Sequence, residues 1–422
     1  MAPLKGGARY MYPAQTMVRR TLVAVFFLSV VVLVSGTGRR ALAGGGPRDM
    51  AADMVDFSDA SGGVCSVIGR EDPALSMMLA RQGSFTVQNL SRGADACRQA
   101  REAILAEGLY GTVSARQFDL PHLPYTGNLV DILVVDRWDA MRRRGLKAEE
   151  ILRVIVPLGA GYIGGISEGR VDALKTGLKK EKEKNVKIIQ FDGTWIRFKK
   201  AWPEDIDEWT HFLHSANGNP VAQDTEFGPP RRVQWKSGPR WMRSHESDSS
   251  VSTMVTARGR LFYIANKAPI SLTGNHALPD RWFLIARDAF NGSRLWKVPI
   301  RRWGWREWKQ SWFTSRPGHI PLNLEKKLVA VGDDVYVTLG YDAPVSRLDA
   351  RTGEIEKTYS GTEKTSEILY LDGTLYLTVL RGDACRVMAV DASSGETLWT
   401  TNKKYQGTKT DYVKLQAARG RM

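Results

Sequence analysis

Two hydrophobic rhythms divide the chain. From Val64 to Ile166, short apolar runs alternate with segments of helical period. Val64-Cys65-Ser66-Val67-Ile68 predicts a strand that Gly69 ends. Pro73 to Gln82 predicts a helix, with proline near its first turn and Leu75, Met78 and Leu79 on one face. Phe85 to Leu90 predicts a second strand. Ala94 to Glu107 carries the clearest helical pattern, with Ala96, Ala100, Ala103 and Ile104 on one side and Gly108 as its stop. Thr112 to Arg116 predicts a third strand. Val130 to Val135 predicts a fourth, continuously apolar over Ile132 to Val135 as in a buried parallel sheet. Ala148 to Val154 predicts a helix, Pro157-Leu158-Gly159 a turn, and Gly161 to Ile166 a fifth strand. Alternation at this spacing implies a doubly wound α/β sheet. Lys175 to Lys187 is highly charged and is expected to be a solvated helix or loop.

From Arg258 onward the helical period disappears. Short β-branched and aromatic runs alternate with Asp/Gly turns, as in all-β architecture. Three segments repeat here. They are Asp288-Ala289-Phe290-Asn291-Gly292 leading to Leu295-Trp296, Asp349-Ala350-Arg351-Thr352-Gly353, and Asp391-Ala392-Ser393-Ser394-Gly395 leading to Leu398-Trp399. The aspartates are 61 and 42 residues apart, and the second interval suits one four-stranded unit. In each, the aspartate side chain is expected to cap a turn. The glycine supplies positive φ, and the tryptophan fills the space between neighbouring units.

Charge and composition refine the picture. The formal net charge is +15. Between Arg231 and His319 there are 17 Lys/Arg against five Asp/Glu, and 8 of the 13 tryptophans fall there too. Such a surface could meet an acidic polymer. No nucleic-acid motif accompanies it, so the expectation is that the tryptophans pack between sheets and the arginines are solvated or stack on them. At the N-terminus, Arg19-Arg20, the apolar run Thr21 to Val34 and Ala41-Leu42-Ala43 read as an export signal. The protein is expected in the periplasm or outside the cell, with membrane contact only through this segment if it stays uncleaved. Cys65, Cys97 and Cys385 have no metal-binding spacing and are expected to be buried thiols. His211 and His214 could face one way on a helix and hold a metal, but without a third ligand a hydrogen-bonding or surface role is expected. Ser244-His245-Glu246 cannot form a triad as neighbours on a strand.

The repeat Asp-Ala-x-x-Gly-x-x-Leu-Trp resembles the pyrroloquinoline quinone-like β-propeller repeat. The stretch Trp202 to His214, with Gly218-Asn219 and Gly228-Pro229-Pro230-Arg231, resembles a junction in exported planctomycete-type proteins. Those join a class I methyltransferase-like Rossmann domain to such a propeller. The resemblance implies a signal region over 1–43, a linker over 44–62, a methyltransferase-like domain over 63–200, a junction over 201–257 and propeller blades over 258–422. About three blades are visible where a complete ring has roughly 4 to 8, so the resemblance implies an incomplete propeller.

In such a Rossmann domain S-adenosylmethionine lies over the carboxyl ends of the strands, with glycine after strand one and an acid after strand two. Gly69 and Asp119 match cofactor-contact positions of the family. Three features depart from the pattern. Arg70 and Glu71 crowd the turn Gly69-Arg70-Glu71-Asp72-Pro73, one glycine remains, and Asn89-Leu90-Ser91 offers no acid. The implied function is therefore an exported binding or scaffold protein with a degenerate methyltransferase-like domain and a protein or acidic polymer as partner. The alternative is an active S-adenosylmethionine-dependent methyltransferase. Quinone-dependent oxidation has less support, since the chain has no adjacent cysteine pair. No catalytic residue and no metal site is assigned.

Overall fold

The computed structural model describes residues 46–180, 183–225, 232–237, 250–268, 281–308, 322–381, 384–401, 405–406 and 415–417. The signal region and Ser244-His245-Glu246 lie outside them. The first described element is helix α1 (Pro47–Ser58), with proline in its first turn. It corrects the expectation of a linker over 44–62. Met50, Ala51 and Met54 are buried in the core, so the segment's sparse apolar residues form one packed face.

The sheet that follows contains β1 (Gly62–Ile68), α2 (Ala74–Ala80), β2 (Ser84–Ser91), α3 (Ala94–Ala106), β3 (Val113–Gln117), β4 (Val130–Val135), α4 (Trp138–Arg143), α5 (Ala148–Val154), β5 (Ile155–Gly164), α6 (Glu168–Lys180), β6 (Lys184–Gln190) and β7 (Thr194–Lys199). The strand order is β3-β2-β1-β4-β5-β7-β6. Strands β1 to β5 are parallel, whereas β7 runs antiparallel to β5 and to β6. This is a doubly wound, Rossmann-like sheet whose strand order reverses between β1 and β4. One apolar cluster lies on each face. Met54, Leu75, Leu79, Cys97 and Ile104 belong to one, and Trp138, Met141, Ile151 and Leu178 to the other. Cys65 and Cys97 are buried and form no disulfide.

The expected turn at Pro157-Leu158-Gly159 lies inside β5. Leu158 adopts φ 66°, its N–H bonds Lys200 O at 3.1 Å, and the pairing with β4 shifts register nearby. A bulge therefore replaces the turn. The charged stretch Lys175 to Lys187 divides into the end of α6 and the start of β6.

Three antiparallel meanders follow. The first is β8 (Val251–Ala257), β9 (Arg260–Asn266), β10 (Trp282–Asp288) and β11 (Arg294–Pro299). The second is β12 (Leu328–Val331), β13 (Asp334–Thr338), β14 (Val345–Asp349) and β15 (Ile355–Thr358). The third is β16 (Thr365–Leu371), β17 (Thr374–Arg381), β18 (Ala384–Asp391) and β19 (Thr397–Thr400), with Tyr405–Gln406 also paired to β18. The repeated segments occupy the turn between the third and fourth strands of each. Asp288 Oδ1 accepts the N–H groups of Phe290 and Asn291 at 2.8 and 2.7 Å. Asp349 Oδ1 accepts those of Arg351 and Thr352 at 2.8 and 2.7 Å, and Asp391 Oδ1 those of Ser393 and Ser394 at 3.0 and 2.6 Å. The glycines have φ of 74°, 76° and 79°. The alanine N–H bonds back to the second strand's entry each time, at Gly259 O, Asp333 O and Gly373 O.

The junction threads between these units. Trp209 O accepts Thr256 N–H at 2.7 Å, Thr210 O accepts Ala330 N–H at 3.0 Å, and His211 Nε2 accepts Tyr370 N–H at 3.1 Å. Thr256, Ala330 and Tyr370 are each the penultimate residue of their unit's first strand. Three consecutive junction residues thus satisfy equivalent donors of three successive units. His211 and His214 bridge as antiparallel backbone partners, and neither lies on a helix. Burial holds His211 down at about 4, so it stays neutral and accepts the Tyr370 bond through Nε2. His214 Nε2 pairs with Asp207 at 2.7 Å. The hydrogen-bonding reading is the one observed, in a buried rather than a surface setting. Near the C-terminus the described residues Leu415–Ala417 form no strand. Leu415 packs on Leu369 and Val387.

A Cβ on Gly353 would stand 2.6 Å from the Trp296 ring, whereas one on Gly361, at φ 79°, meets nothing within 4 Å. Gly361→Ala should therefore cost about 1–2 kcal/mol of left-handed strain. Gly353→Ala should add about 1–3 kcal/mol of overpacking to that. Urea denaturation of the two variants measures the difference.

Candidate functional site

In a doubly wound sheet the ligand crevice lies at the carboxyl ends of the strands, where the order reverses. Here that is the edge after Ile68 and Val135. Gly69 sits there at φ 90°, and a Cβ on it would stand 2.4 Å from Asp136 O. The glycine is required by its own neighbour's backbone. Arg70 then turns across the reversal point. Its Nε pairs with Asp136 Oδ2 at 2.9 Å, its Nη2 pairs with Asp192 in the β6–β7 turn, and its guanidinium lies 5.8 Å from the Trp195 ring centroid. Beside it, Asn89 is fully buried. Its Oδ1 accepts Ser76 Oγ at 3.0 Å, and its amide reaches Ser91 Oγ at 3.3 Å and Arg70 O at 3.4 Å. The Tyr125 hydroxyl stands 2.8 Å from both Ser66 Oγ and Gln88 Oε1. Asp119 is exposed in the loop after β3. Gly69 and Asp119 share the carboxyl edge, with β2 between their strands. Polar groups at the reversal point pair with one another, although Arg70 Nε meets Asp136 as an ion pair without a hydrogen bond.

A second constellation lies at the opposite end of the sheet, against the first meander. Asp131, the second residue of β4, is buried, and its Oδ2 accepts Val64 N–H at 2.6 Å and Asn291 Nδ2 at 2.8 Å. The Asp288 carboxyl stands beside it. Asn291 Nδ2 reaches Leu129 O at 3.2 Å as well. Burial, and then the neighbouring Asp288 charge, hold Asp131 well above the usual carboxylate range. Burial raises Asp288 too, against its turn N–H bonds and Arg260. The two buried carboxyls titrate as a linked pair, both held toward their neutral forms. A cavity of about 90 Å³ adjoins the pair, walled by Asp59, Lys199, Arg258 and Arg260 among others. An acid inside the apolar run Val130 to Val135 was the sequence signal for this seam.

Among the described residues no group of three or more His, Cys, Asp or Glu could hold a metal ion. No described helix is long and apolar enough to cross a membrane. Trp282, Trp296, Trp303 and Trp308 are buried in the core of the first two meanders, which accounts for these four of the clustered tryptophans.

No family model and no curated protein matches the chain. Solved structures do align with part of it. A candidate S-adenosyl-L-methionine-dependent methyltransferase from Methanococcus maripaludis is 23% identical, with 38% of this chain and 87% of that chain covered and a TM-score of 0.32. A SAM-dependent methyltransferase from Aquifex aeolicus is 13% identical over 36% of this chain and 87% of its own, at 0.31. A SAM-dependent O-methyltransferase from Thermotoga maritima is 12% identical over 37% and 67%, at 0.31. At these scores the alignments carry no argument, and the fold stands on its strand order.

The carboxyl pair makes stability depend on pH. Asp131's folded value lies above its ordinary 3.8, so its contribution is full below that and declines as pH rises through the raised value. Asp131→Asn reproduces the protonated group's donor and acceptors. It should flatten the dependence and raise the alkaline melting temperature above wild type. Asp131→Ala strands the Val64 N–H and should cost about 1–3 kcal/mol at every pH. Thermal melts across pH for the three proteins check this.

Proposed function

We propose that the chain is a binding or scaffold protein in which a Rossmann-like domain of methyltransferase type has exchanged its cofactor crevice for internal ion pairs. The observation that carries this is Arg70, held between Asp136 and Asp192 across the strand-order reversal. A cofactor at that edge would have to displace a guanidinium with two carboxylate partners. It would also find the amide of Asn89, already engaged, where the ribose hydroxyls need an acid.

The three meanders support the reading of β-propeller blades, because each repeats the same turn and joins the next through the same seam. Recognition through such units is the proposed activity, with export following from the N-terminal sequence. The partner we favour is a protein. An acidic polymer would instead be indicated by binding that fades steeply with salt.

Calorimetry with S-adenosylmethionine tests the Rossmann half. The wild-type protein should give no binding heat. Replacing Arg70 and Glu71 by glycine, with Ser91→Asp, should produce measurable binding if these residues alone closed the crevice. Tight binding by the unmodified protein would establish the enzyme reading and overturn this one.

A further inference from the structure

Trp202, Trp235 and Phe290 stay outside the apolar clusters of the core. Each is half-buried, whereas Trp282, Trp303 and Trp308 are buried. The three rings help to wall a cleft of about 290 Å³ between the junction and the first meander. Local contacts fix each of them. Trp202 meets Phe290 edge to face, with centroids 6.4 Å apart and planes at 69°, so the two rings form adjoining walls. Trp235 donates its indole N–H to Ala289 O at 3.0 Å. Gln234 Nε2 ties the same strap to Phe290 O at 2.9 Å and to Asn128 O at 3.1 Å. The cleft is thus held open by bonds that do not involve its interior.

The polar groups at this cleft are of both kinds. Glu208 Oε1 accepts Arg258 N–H at 2.6 Å, and Oε2 has no partner among the described residues. Gln234 uses its amide N–H groups on carbonyls, which leaves Oε1 as a second acceptor without a partner in that set. Arg258 also lines the cleft. Asp333 holds its Nη1, and its other guanidinium N–H groups have no acceptor among the described residues.

This pattern selects a ligand. An anion would face the Glu208 carboxylate, and a cation would face the Arg258 guanidinium. Aromatic walls with one charge of each sign favour a neutral molecule that both donates and accepts. A pyranose is such a molecule. Its C–H faces lie against aromatic rings, and each of its hydroxyls is a donor and an acceptor. The volume stands at the lower end of the roughly 300–1,000 Å³ of small-molecule sites, which suits a single ring.

We infer that this cleft binds one neutral sugar ring, free or at the end of a glycan. Trp202, Trp235 and Phe290 pack on its C–H faces, and Glu208 Oε2 accepts one of its hydroxyls. The inference goes beyond the scaffold reading and uses no residue of the cofactor crevice, so the calorimetric result with S-adenosylmethionine leaves it untouched.

Ligand-observed NMR on the full chain tests it. The probes are glucose, galactose, mannose and N-acetylglucosamine, each also as its methyl glycoside, with choline as the cationic comparison. At least one sugar should show saturable line broadening, and choline should show none. Glu208→Gln keeps an acceptor for Arg258 N–H but replaces Oε2 by an amide donor, so it should weaken binding about tenfold. Trp202→Ala removes a wall and should abolish binding. Where Trp202→Ala does not melt cooperatively, Glu208→Gln decides. Binding of the methyl glycosides along with the free sugars assigns the ligand to a glycan end, and binding of free sugars alone assigns it to a soluble sugar. The inference is overturned if no sugar binds the folded wild-type chain, if choline saturates the site in place of the sugars, or if sugar binding survives both substitutions unchanged.

Discussion

The turn from Asp288 to Gly292 is where the constraints of the molecule converge. Its aspartate accepts the turn's own N–H groups, which fixes the hairpin between β10 and β11. The same carboxyl group, with burial, raises the Asp131 carboxyl of the Rossmann-like sheet, and Asn291 Nδ2 donates to Asp131 Oδ2. Its alanine and glycine seat Trp235. Five residues thus join a repeat unit, the junction before it and a strand of the preceding sheet. Burying two neighbouring carboxyl groups favours their neutral forms, and the N–H groups they accept offset part of the cost. The seam is therefore specific in geometry and sensitive to protonation.

The second governing feature is the inversion of the usual division of labour in a doubly wound sheet. The carboxyl edge ordinarily keeps polar groups free for a ligand. Here Arg70, Asp136, Asp192, Asn89 and Ser76 bond to one another. The unusual buried charge chemistry lies at the amino edge, against the meanders, where it serves cohesion between the two halves.

Cohesion among the meanders comes from two directions. At the inner strands, Trp209, Thr210 and His211 satisfy equivalent backbone donors of three units in succession. At the outer strands, aromatic donors lock into the next unit's turn. An open stack of sheets would otherwise expose strand edges and apolar seams to water. The junction is thus an internal part of the repeat assembly and not a tether between two bodies.

Periodicity alone determined much of this. The alternation of apolar runs and helical stripes specified the parallel strands, because a buried strand and an amphipathic helix each need their own spacing. The Asp-Ala-x-x-Gly segments specified their turns, because an aspartate cap and a left-handed glycine are local demands that no distant residue alters. Local pattern failed where the deciding partner was remote. Helix α1 read as a linker because its stripe of Met50, Ala51 and Met54 is narrow and is stabilised by the sheet beneath it. The turn expected at Pro157 became a bulge because β4 and Lys200 hold both sides of β5. Gly69 and Asp119 were legible as positions on the carboxyl edge, yet the fate of that edge was decided by Asp136 and Asp192, 66 and 122 residues beyond Arg70. Asp131 stood in plain view as an acid in an apolar strand, but its partner Asp288 lies in another part of the fold. The raised carboxyls of this pair are set by tertiary structure alone, since burial and proximity together create the shift.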